Sequence, residues 1–187
     1  MEETTFSSPG IELVKDIFIF ACYTGLSYID LKELSIKQLV KGINGHLWIC
    51  TKRAKTNEAV KIPLLPKARE ILEKYTGKKE REVTDRLLPV YSNQKTNLYL
   101  KRIAKACKIH KSITFHVARH TFATTVTLSN GVPIETVSKL LGHTKLSTTQ
   151  IYARVLQKKV GEDMEHLMAH FEARKKERDQ TPKSNHI

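Results

Sequence analysis

The sequence predicts a mainly α-helical domain with one small antiparallel β-sheet, a fold of the α+β class. Apolar residues recur at helical spacing over most of the chain, and only the region 39–63 has the pattern of strands. Forty per cent of the 187 residues are hydrophobic, which is enough for one domain with its own core.

The N-terminal region is expected to contain a linker remnant and a helix. Residues 1–10 are polar and end in Ser-Pro-Gly, which is typical of a linker. A helix is predicted from Ile11, because apolar residues follow at helical spacing until Thr24-Gly25 ends it. One or two further helical turns are expected in residues 28–34.

A small antiparallel sheet of two or three strands is predicted next. Residues 47–50 and 60–62 have strand composition, and Pro63 stops the second strand. Asn44-Gly45 is a tight-turn signal before the first of these strands. The connection 52–57 is basic.

The rest of the chain is predicted to be helical, with a polar loop up to about residue 91. The expected helices are residues 66–75, 93–107, 116–128, 134–141 and 147–155. In the second of these, Leu98, Leu100, Ile103 and Ala104 are expected to face inward. A last amphipathic helix has its apolar residues at Val160, Met164, Leu167, Met168 and Phe171. We therefore expect one domain over residues 11–174 and a charged, flexible tail over 175–187.

The charge of the chain indicates a polyanionic partner. The formal net charge is +13, and no Asp or Glu occurs between Asp85 and Glu135. A long segment of one sign favours a face that meets phosphates, although a generally basic protein would also have such a charge. The candidate residues for contact with such a partner are Ser27, Lys95, Arg102, Lys145 and Thr148.

The cysteines and the hydropathy pattern exclude other classes of protein. Cys22, Cys50 and Cys107 are odd in number and widely spaced, which argues against a disulfide framework and against a zinc site. No apolar run is long enough to span a membrane, and no signal peptide is recognisable. We expect a cytoplasmic protein.

Three short patterns carry candidate chemistry. His116 and Arg119 are three residues apart on one helix face, where they form a donor pair for an anionic oxygen. Gly142 allows a left-handed turn that directs His143 back towards a cleft. Tyr152 follows nine residues after His143. Each pattern alone is more often structural than functional.

In order and spacing, the three patterns together resemble the tyrosine recombinase (phage integrase) family. The stretch from Thr114 to Tyr152 fits the family pattern, including His120-Thr121-Phe122-Ala123 after the arginine. The resemblance extends backwards to Thr24-Gly25-Leu26 and Asp30-Leu31. It also covers the hairpin that contains Lys55-Thr56 and ends at Ile62-Pro63.

The resemblance implies an activity and a role for each residue. Tyr152 would attack a DNA phosphate to form a 3′-phosphotyrosyl link, without ATP, metal or other cofactor. Arg119 would stabilise charge on the phosphate oxygens, and His116 would assist proton transfer or hold the phosphate. His143 would donate a hydrogen bond to the same phosphate. Lys55 would be the general acid for the leaving 5′-oxygen.

The family also implies partners and a longer protein. The implied partner is double-stranded DNA, bound by a homotetramer in which the C-terminal helix docks on a neighbour; packing of that helix on its own domain is the alternative. The family's N-terminal DNA-binding domain is missing from this sequence, so we expect a fragment of a longer integrase of a mobile element or prophage.

One departure from the family pattern concerns the residue after Thr-Gly-Leu, which is usually arginine and is Ser27 here. A serine cannot supply a charged, forked donor to a phosphate. Arg53 is the candidate replacement. It lies two residues before Lys55, and on an extended strand two side chains at that spacing point to the same face. Contact of Arg53 with the DNA backbone alone is the other interpretation.

Two rival functions follow. The first is a DNA-binding module of the same fold that has lost catalysis, which Ser27 favours. The second is a type IB topoisomerase, which the compact hairpin and the spacing between Leu-Gly-His and Tyr disfavour.

Overall fold

The computed structural model describes residues 1–43, 45–76, 85–152, 161, 164–165, 167–172 and 174. Within these residues the chain forms several helices and a single three-stranded sheet, so the predicted α+β class is confirmed. The helices are α1 (Pro9–Thr24), α2 (Tyr28–Lys32), α3 (Pro66–Thr76), α4 (Asn93–Ala106), α5 (His116–Thr121), α6 (Ile134–Leu141) and α7 (Ser147–Gln150).

Helix α1 is the centre of the domain. It begins at Pro9, earlier than the predicted Ile11, because a proline is well accommodated in the first helical turn. It ends at Gly25, whose φ of 66° is the left-handed conformation that glycine adopts without strain. Helix α1 packs against α3, α4 and α5, and Phe20 is fully buried among them.

The segment before α1 is packed rather than extended into solvent. The carbonyl of Thr4 accepts a hydrogen bond from Lys15 Nζ at 2.8 Å, and Glu12 Oε2 accepts one from the Phe6 amide at 3.0 Å. Met1 and Phe6 contact the hydrophobic core. The residues predicted to be a linker remnant are thus held against the first helix.

The sheet has the order β1-β2-β3 with antiparallel neighbours, as predicted. Its strands are β1 (Leu39–Lys41), β2 (Leu47–Lys52) and β3 (Ala59–Pro63). Ile49 of β2 lies opposite Ile62 of β3, and both side chains are fully buried. Asn44, half of the predicted turn, lies outside the described residues.

Helix α4 confirms most of its predicted inner face. Leu100 and Ile103 are fully buried, and Ala104 is nearly so. The prediction that Leu98 faces inward is wrong, since its side chain is 50% exposed. Leu98 precedes Leu100 by two residues, which is more than half a turn, so both cannot face the core.

The helix predicted for residues 116–128 is present, but its geometry changes along its length. Helix α5 continues into a π-helical segment (Phe122–Thr127) and then a 3₁₀ turn (Leu128–Asn130), which ends at Gly131. The Thr127 hydroxyl contacts the carbonyl oxygens of Phe122 and Ala123, at 2.9 and 2.8 Å. π-Helical turns of this kind are frequent next to functional sites.

The C-terminal residues that the structure describes are helical and carry an exposed apolar stripe. Met164, Leu167, Met168 and Phe171 are 43–58% exposed. Val160, residues 153–155 of the last predicted helix before the stripe, and the predicted tail 175–187 lie outside the described residues. No helix among the described residues has the length and hydropathy needed to cross a membrane.

Candidate active site

Arg119 is held by the ends of two other helices. Its Nη1 donates to the carbonyl of Gly25, after α1, at 2.8 Å, and its Nη2 donates to the carbonyl of Leu141, in α6, at 2.6 Å. Burial lowers the pKa of Arg119 to about 10, and the charge of Arg53 acts in the same direction. These two anchors fix where the guanidinium presents its remaining donors.

Arg53 enters the same region from the sheet. It directly follows β2 and is only 3% exposed. Its Nη1 donates to Asp30 Oδ2 at 3.1 Å and its Nη2 to the Leu140 carbonyl at 2.7 Å, whereas its Nε has no partner among the described residues. Burial lowers the pKa of Arg53, and the carboxylate of Asp30 opposes that effect.

Ser27 caps helix α2 and shares the carboxylate of Asp30 with Arg53. The Ser27 hydroxyl contacts Asp30 Oδ2 at 2.8 Å and also accepts from the Asp30 amide at 3.3 Å. The Ala54 amide donates to Asp30 Oδ1 at 2.8 Å. Burial alone would raise the pKa of Asp30, but these hydrogen bonds and the charge of Arg53 lower it overall. Asp30 therefore joins the Ser27 position to the Arg53 guanidinium.

The expected common orientation of Arg53 and Lys55 is wrong. The strand ends at Lys52 and the chain turns at residues 54–56, so the alternation of a strand does not extend to these residues. Arg53 is buried and Lys55 is exposed. The charge of Lys55 still contributes, as the smallest of four causes, to the lowered pKa of His116.

Three aromatic rings form a row from α5 to Tyr152. The ring of His120 makes edge contacts with His116, at 4.8 Å between centroids, and with Tyr152, at 5.2 Å. Burial lowers the pKa of His116, and the charges of His120, Arg119 and Lys55 lower it further. His120 thus lies between a predicted catalytic histidine and the predicted nucleophile.

Tyr152 is 6% exposed and packs with Phe122 and Leu141 in a second hydrophobic cluster. Burial raises the pKa of its phenol, and the charge of Arg119 opposes that rise. The Tyr152 amide donates to the carbonyl of Thr149 at 3.0 Å.

His143 follows the left-handed turn that was predicted at Gly142, whose φ is 65°. Its Nδ1 lies 2.9 Å from the hydroxyl oxygen of Thr149, a fully buried side chain. Burial lowers the pKa of His143 to about 4, together with the charges of Arg119 and Arg53. The ring is therefore neutral at pH 7.

Arg119 is the electrostatic centre of the predicted catalytic set, because its charge acts on His116, His143 and Tyr152 and the charge of Arg53 acts on Arg119. An arginine whose charge acts on a buried tyrosine is suited to binding a phosphate that the tyrosine attacks. A sequence model of the phage integrase family matches residues 9–159. The chain belongs to the phage integrase family.

Curated relatives of the chain include the tyrosine recombinases XerD and XerC. The chain is 34% identical over 146 residues to the tyrosine recombinase XerD of Listeria monocytogenes, covering 71% of this chain and 46% of that protein. It is 44% identical over 63 residues to XerC of Pediococcus pentosaceus, covering 34% of this chain and 21% of that protein. The chain thus spans about half the length of the XerD protein, or less of other relatives.

Solved structures of family members have the same fold. XerA recombinase superposes with a TM-score of 0.64 at 22% identity, over 86% of this chain and 65% of that one. XerH bound to its difH substrate superposes with a TM-score of 0.68 at 20% identity, over 87% of this chain and 48% of that one. A λ integrase dimer bound to a core site superposes with a TM-score of 0.58 at 22% identity, over 78% of this chain and 42% of that one. The predicted recombinase fold is confirmed.

The predicted DNA-binding residues of this integrase-family chain lie on several elements. Lys95 and Arg102 are exposed on α4 on either side of Tyr99, with Lys95 Nζ 3.8 Å from the centre of the Tyr91 ring. Lys145 and Thr148 are exposed at the start of α7. Ser27 lines a cleft of about 420 Å³ with His116 and Arg119. Its hydroxyl is also used by the helix cap.

Sequence reasoning missed three residues of the site: Asp30 as the partner of Arg53, His120 between two rings, and Thr149 beside His143. The signal for Asp30 was its spacing of three from Ser27, which is typical of a capping box. For His120 the signal was its spacing of four from His116 on one helix, whereas nothing in the local sequence indicated Thr149. Among the described residues, no group of three His, Cys, Asp or Glu side chains is arranged to hold a metal ion.

Proposed function

We propose that the chain is the catalytic domain of a site-specific DNA recombinase or integrase, encoded by a mobile element or a prophage, that works on bacterial DNA in the cytoplasm. The observation that carries the proposal is that the charge of Arg119 acts on His116, His143 and Tyr152 alike, in a chain of this family. Tyrosine recombinases among its relatives support the same reading.

The proposed reaction exchanges one phosphodiester for another. The Tyr152 oxygen attacks the scissile phosphorus and forms a 3′-phosphotyrosyl bond, while the bond from phosphorus to the 5′-oxygen breaks. The phenol proton passes to His116 or to solvent, and Lys55 gives a proton to the leaving 5′-oxygen. The freed 5′-hydroxyl of a partner strand then reverses the step and releases Tyr152.

Charge stabilisation falls to the two arginines and to His143. Arg119 binds non-bridging phosphate oxygens, where negative charge develops in the transition state. His143 donates a hydrogen bond to the same group. Arg53 supplies the guanidinium of the family arginine that Ser27 replaces. Support comes from the hydrogen bond of Arg53 to Asp30, the carboxylate that also contacts the Ser27 hydroxyl.

Double-stranded DNA is the proposed substrate, and its backbone is bound by the basic surface. The net charge of +13 and the exposed side chains of Lys95, Arg102, Lys145 and Thr148 support this part of the proposal. Phosphate contacts would fix the duplex against the site without selecting its sequence.

On paired recombination sites the active form is proposed to be a homotetramer whose C-terminal helices dock on neighbouring subunits. The support is the exposed stripe of Met164, Leu167, Met168 and Phe171, since an apolar helix face of this kind is usually covered by a partner.

A suicide substrate tests the activity. The longest natural protein that contains this domain is incubated with nicked duplexes carrying the junction of the element that encodes it. We expect a protein–DNA adduct that survives denaturant and that is absent with Tyr152→Phe. No adduct from protein that binds the duplex would contradict the proposal.

The second candidate is a DNA-binding module without catalysis. The loss of the arginine at Ser27 and the raised pKa of the Tyr152 phenol favour it, because both make nucleophilic attack harder. Binding of the duplex with no adduct at any pH up to 9 would support this candidate.

A further inference from the structure

We propose that Thr149 is a positioning residue, which fixes the ring orientation and the tautomer of His143 so that Nε2–H faces the phosphate. This inference rests on the proposed function for its consequence, although its first test does not.

The hydrogen bonding of Thr149 carries the first step. Its side chain is fully buried, and among the described residues its hydroxyl has one hydrogen-bond partner, His143 Nδ1 at 2.9 Å. If Nδ1 were the donor, the hydroxyl proton would be buried without an acceptor, which is costly. The hydroxyl therefore donates, and Nδ1 accepts.

The consequence for His143 follows from the chemistry of imidazole. A neutral ring has one N–H, so a ring that accepts at Nδ1 carries its proton at Nε2. Burial and the two nearby arginines keep this ring neutral at pH 7. Only the Nε2–H form can donate a hydrogen bond to a phosphate oxygen. The Nδ1–H form would present a lone pair to an anion.

Thr149 also contacts the nucleophile through its backbone. Its carbonyl accepts the amide of Tyr152 at 3.0 Å, within the turn that follows helix α7. The buried residue Thr149 thus links His143 to the backbone at Tyr152. A displacement of Tyr152 would be transmitted to His143, and a shift of the histidine would be transmitted to the tyrosine.

Nitrogen NMR of the DNA-free chain labelled with ¹⁵N-histidine tests the tautomer directly. At pH 7 we expect Nε2 of His143 to be protonated and Nδ1 to have the shift of a hydrogen-bond acceptor. In Thr149→Val the Nδ1 signal moves to the value of a free acceptor, and in Thr149→Ser it stays near the wild-type value. A wild-type His143 protonated at Nδ1 overturns the proposal, whether or not the chain cleaves DNA.

Cleavage kinetics test the consequence. With a suicide substrate, Thr149→Val is expected to lower the rate of adduct formation about tenfold, as for loss of one hydrogen bond, while DNA affinity is unchanged. Thr149→Ser restores most of the rate. In a His143→Ala background, Thr149→Val has no further effect. An equal loss in that background would mean that Thr149 acts only on stability, which urea unfolding of each variant measures separately. If the wild type forms no adduct, the function fails and the NMR result still decides the tautomer.

Discussion

Arg53 and Arg119 donate hydrogen bonds to consecutive carbonyl oxygens, those of Leu140 and Leu141, at the C-terminal end of helix α6. This end of a helix carries partial negative charge, so it stabilises two cations that repel each other. Asp30 is the carboxylate that pairs with Arg53. The site therefore holds more positive than negative charge before any DNA arrives.

An anion should therefore stabilise the free chain. Inorganic phosphate is expected to raise the free energy of unfolding by about 1.4 kcal/mol at ten times its dissociation constant. Arg119→Ala should lose most of this gain. Thermal unfolding in phosphate, compared with unfolding in chloride at equal ionic strength, measures this gain in stability for both proteins. An identical gain in the variant would place the anion elsewhere.

Removal of Arg53 should affect stability and cleavage together. Arg53→Ala leaves the buried carboxylate of Asp30 without its charge partner, and we expect a loss of about 3 kcal/mol. Lys37→Ala is the matched control, because the Lys37–Asp85 pair is exposed to solvent and its loss should change stability much less. Urea unfolding gives both values.

Cleavage then decides what Arg53 does in the reaction. If Arg53 supplies the guanidinium missing at Ser27, adduct formation by Arg53→Ala falls by about a hundredfold or more under conditions where the variant is folded. A folded variant that forms the adduct at the wild-type rate would show that Arg53 is structural only.

Gly142 should tolerate no side chain, for a reason that separates it from another glycine of the same conformation. A Cβ at Gly142 would lie 2.7 Å from Arg53 Cγ and 2.9 Å from Val60 Cγ1. At Gly45, whose φ is also positive, a Cβ would meet nothing within 4 Å. Gly45→Ala is expected to cost about 1 kcal/mol from backbone strain alone. Gly142→Ala should cost clearly more, and should also reduce cleavage.

Equal losses of unfolding free energy in the two glycine variants would show that the contact with Arg53 is easily relieved. The two variants can be compared directly, because each substitution adds one methyl group to a residue whose backbone has a positive φ.

Acid should destabilise the fold through His143. Its pKa is lowered from 6.5 to about 4, chiefly by burial, so between these values the unfolded chain binds more protons than the folded one. The stability that depends on neutral His143 is fully present above pH 6.5 and is lost as the pH falls towards 4. We expect about 2 kcal/mol of this loss to disappear in His143→Gln, after allowance for solvent screening.

Urea unfolding at several pH values measures that slope. His110→Gln, at an exposed position, is the control for replacing a histidine by glutamine. An unchanged slope in His143→Gln would mean that the ring titrates alike in both states.

His120 should matter through its ring rather than its charge. His120→Ala removes edge contacts with His116 and Tyr152, each worth about 1 kcal/mol, and adduct formation is expected to fall about tenfold. His120→Phe keeps an aromatic ring and should recover much of the rate. Single-turnover cleavage compares them, and failure of the phenylalanine to help would assign the effect to the imidazole nitrogens.

The sequence predicted those parts of the site that local spacing determines. His116 and Arg119 share a helix, and Gly142 reaches a left-handed φ because it ends α6. Contacts between distant segments were beyond such reasoning, as with Arg53, which directly follows β2 and donates to Asp30 of the cap of α2. Thr149 and not its neighbour Thr148 reaches His143, since α7 buries only one of the two.

The capping box at Ser27 has a consequence for how such chains are recognised in genomes. A search that requires arginine directly after Thr-Gly-Leu would discard this protein, although a guanidinium reaches Asp30 of that same cap from the hairpin. A filter that scores the two positions jointly, small polar residue in one and arginine in the other, would retain it. Chains sorted in this way would form a distinct group whose members can be compared for activity.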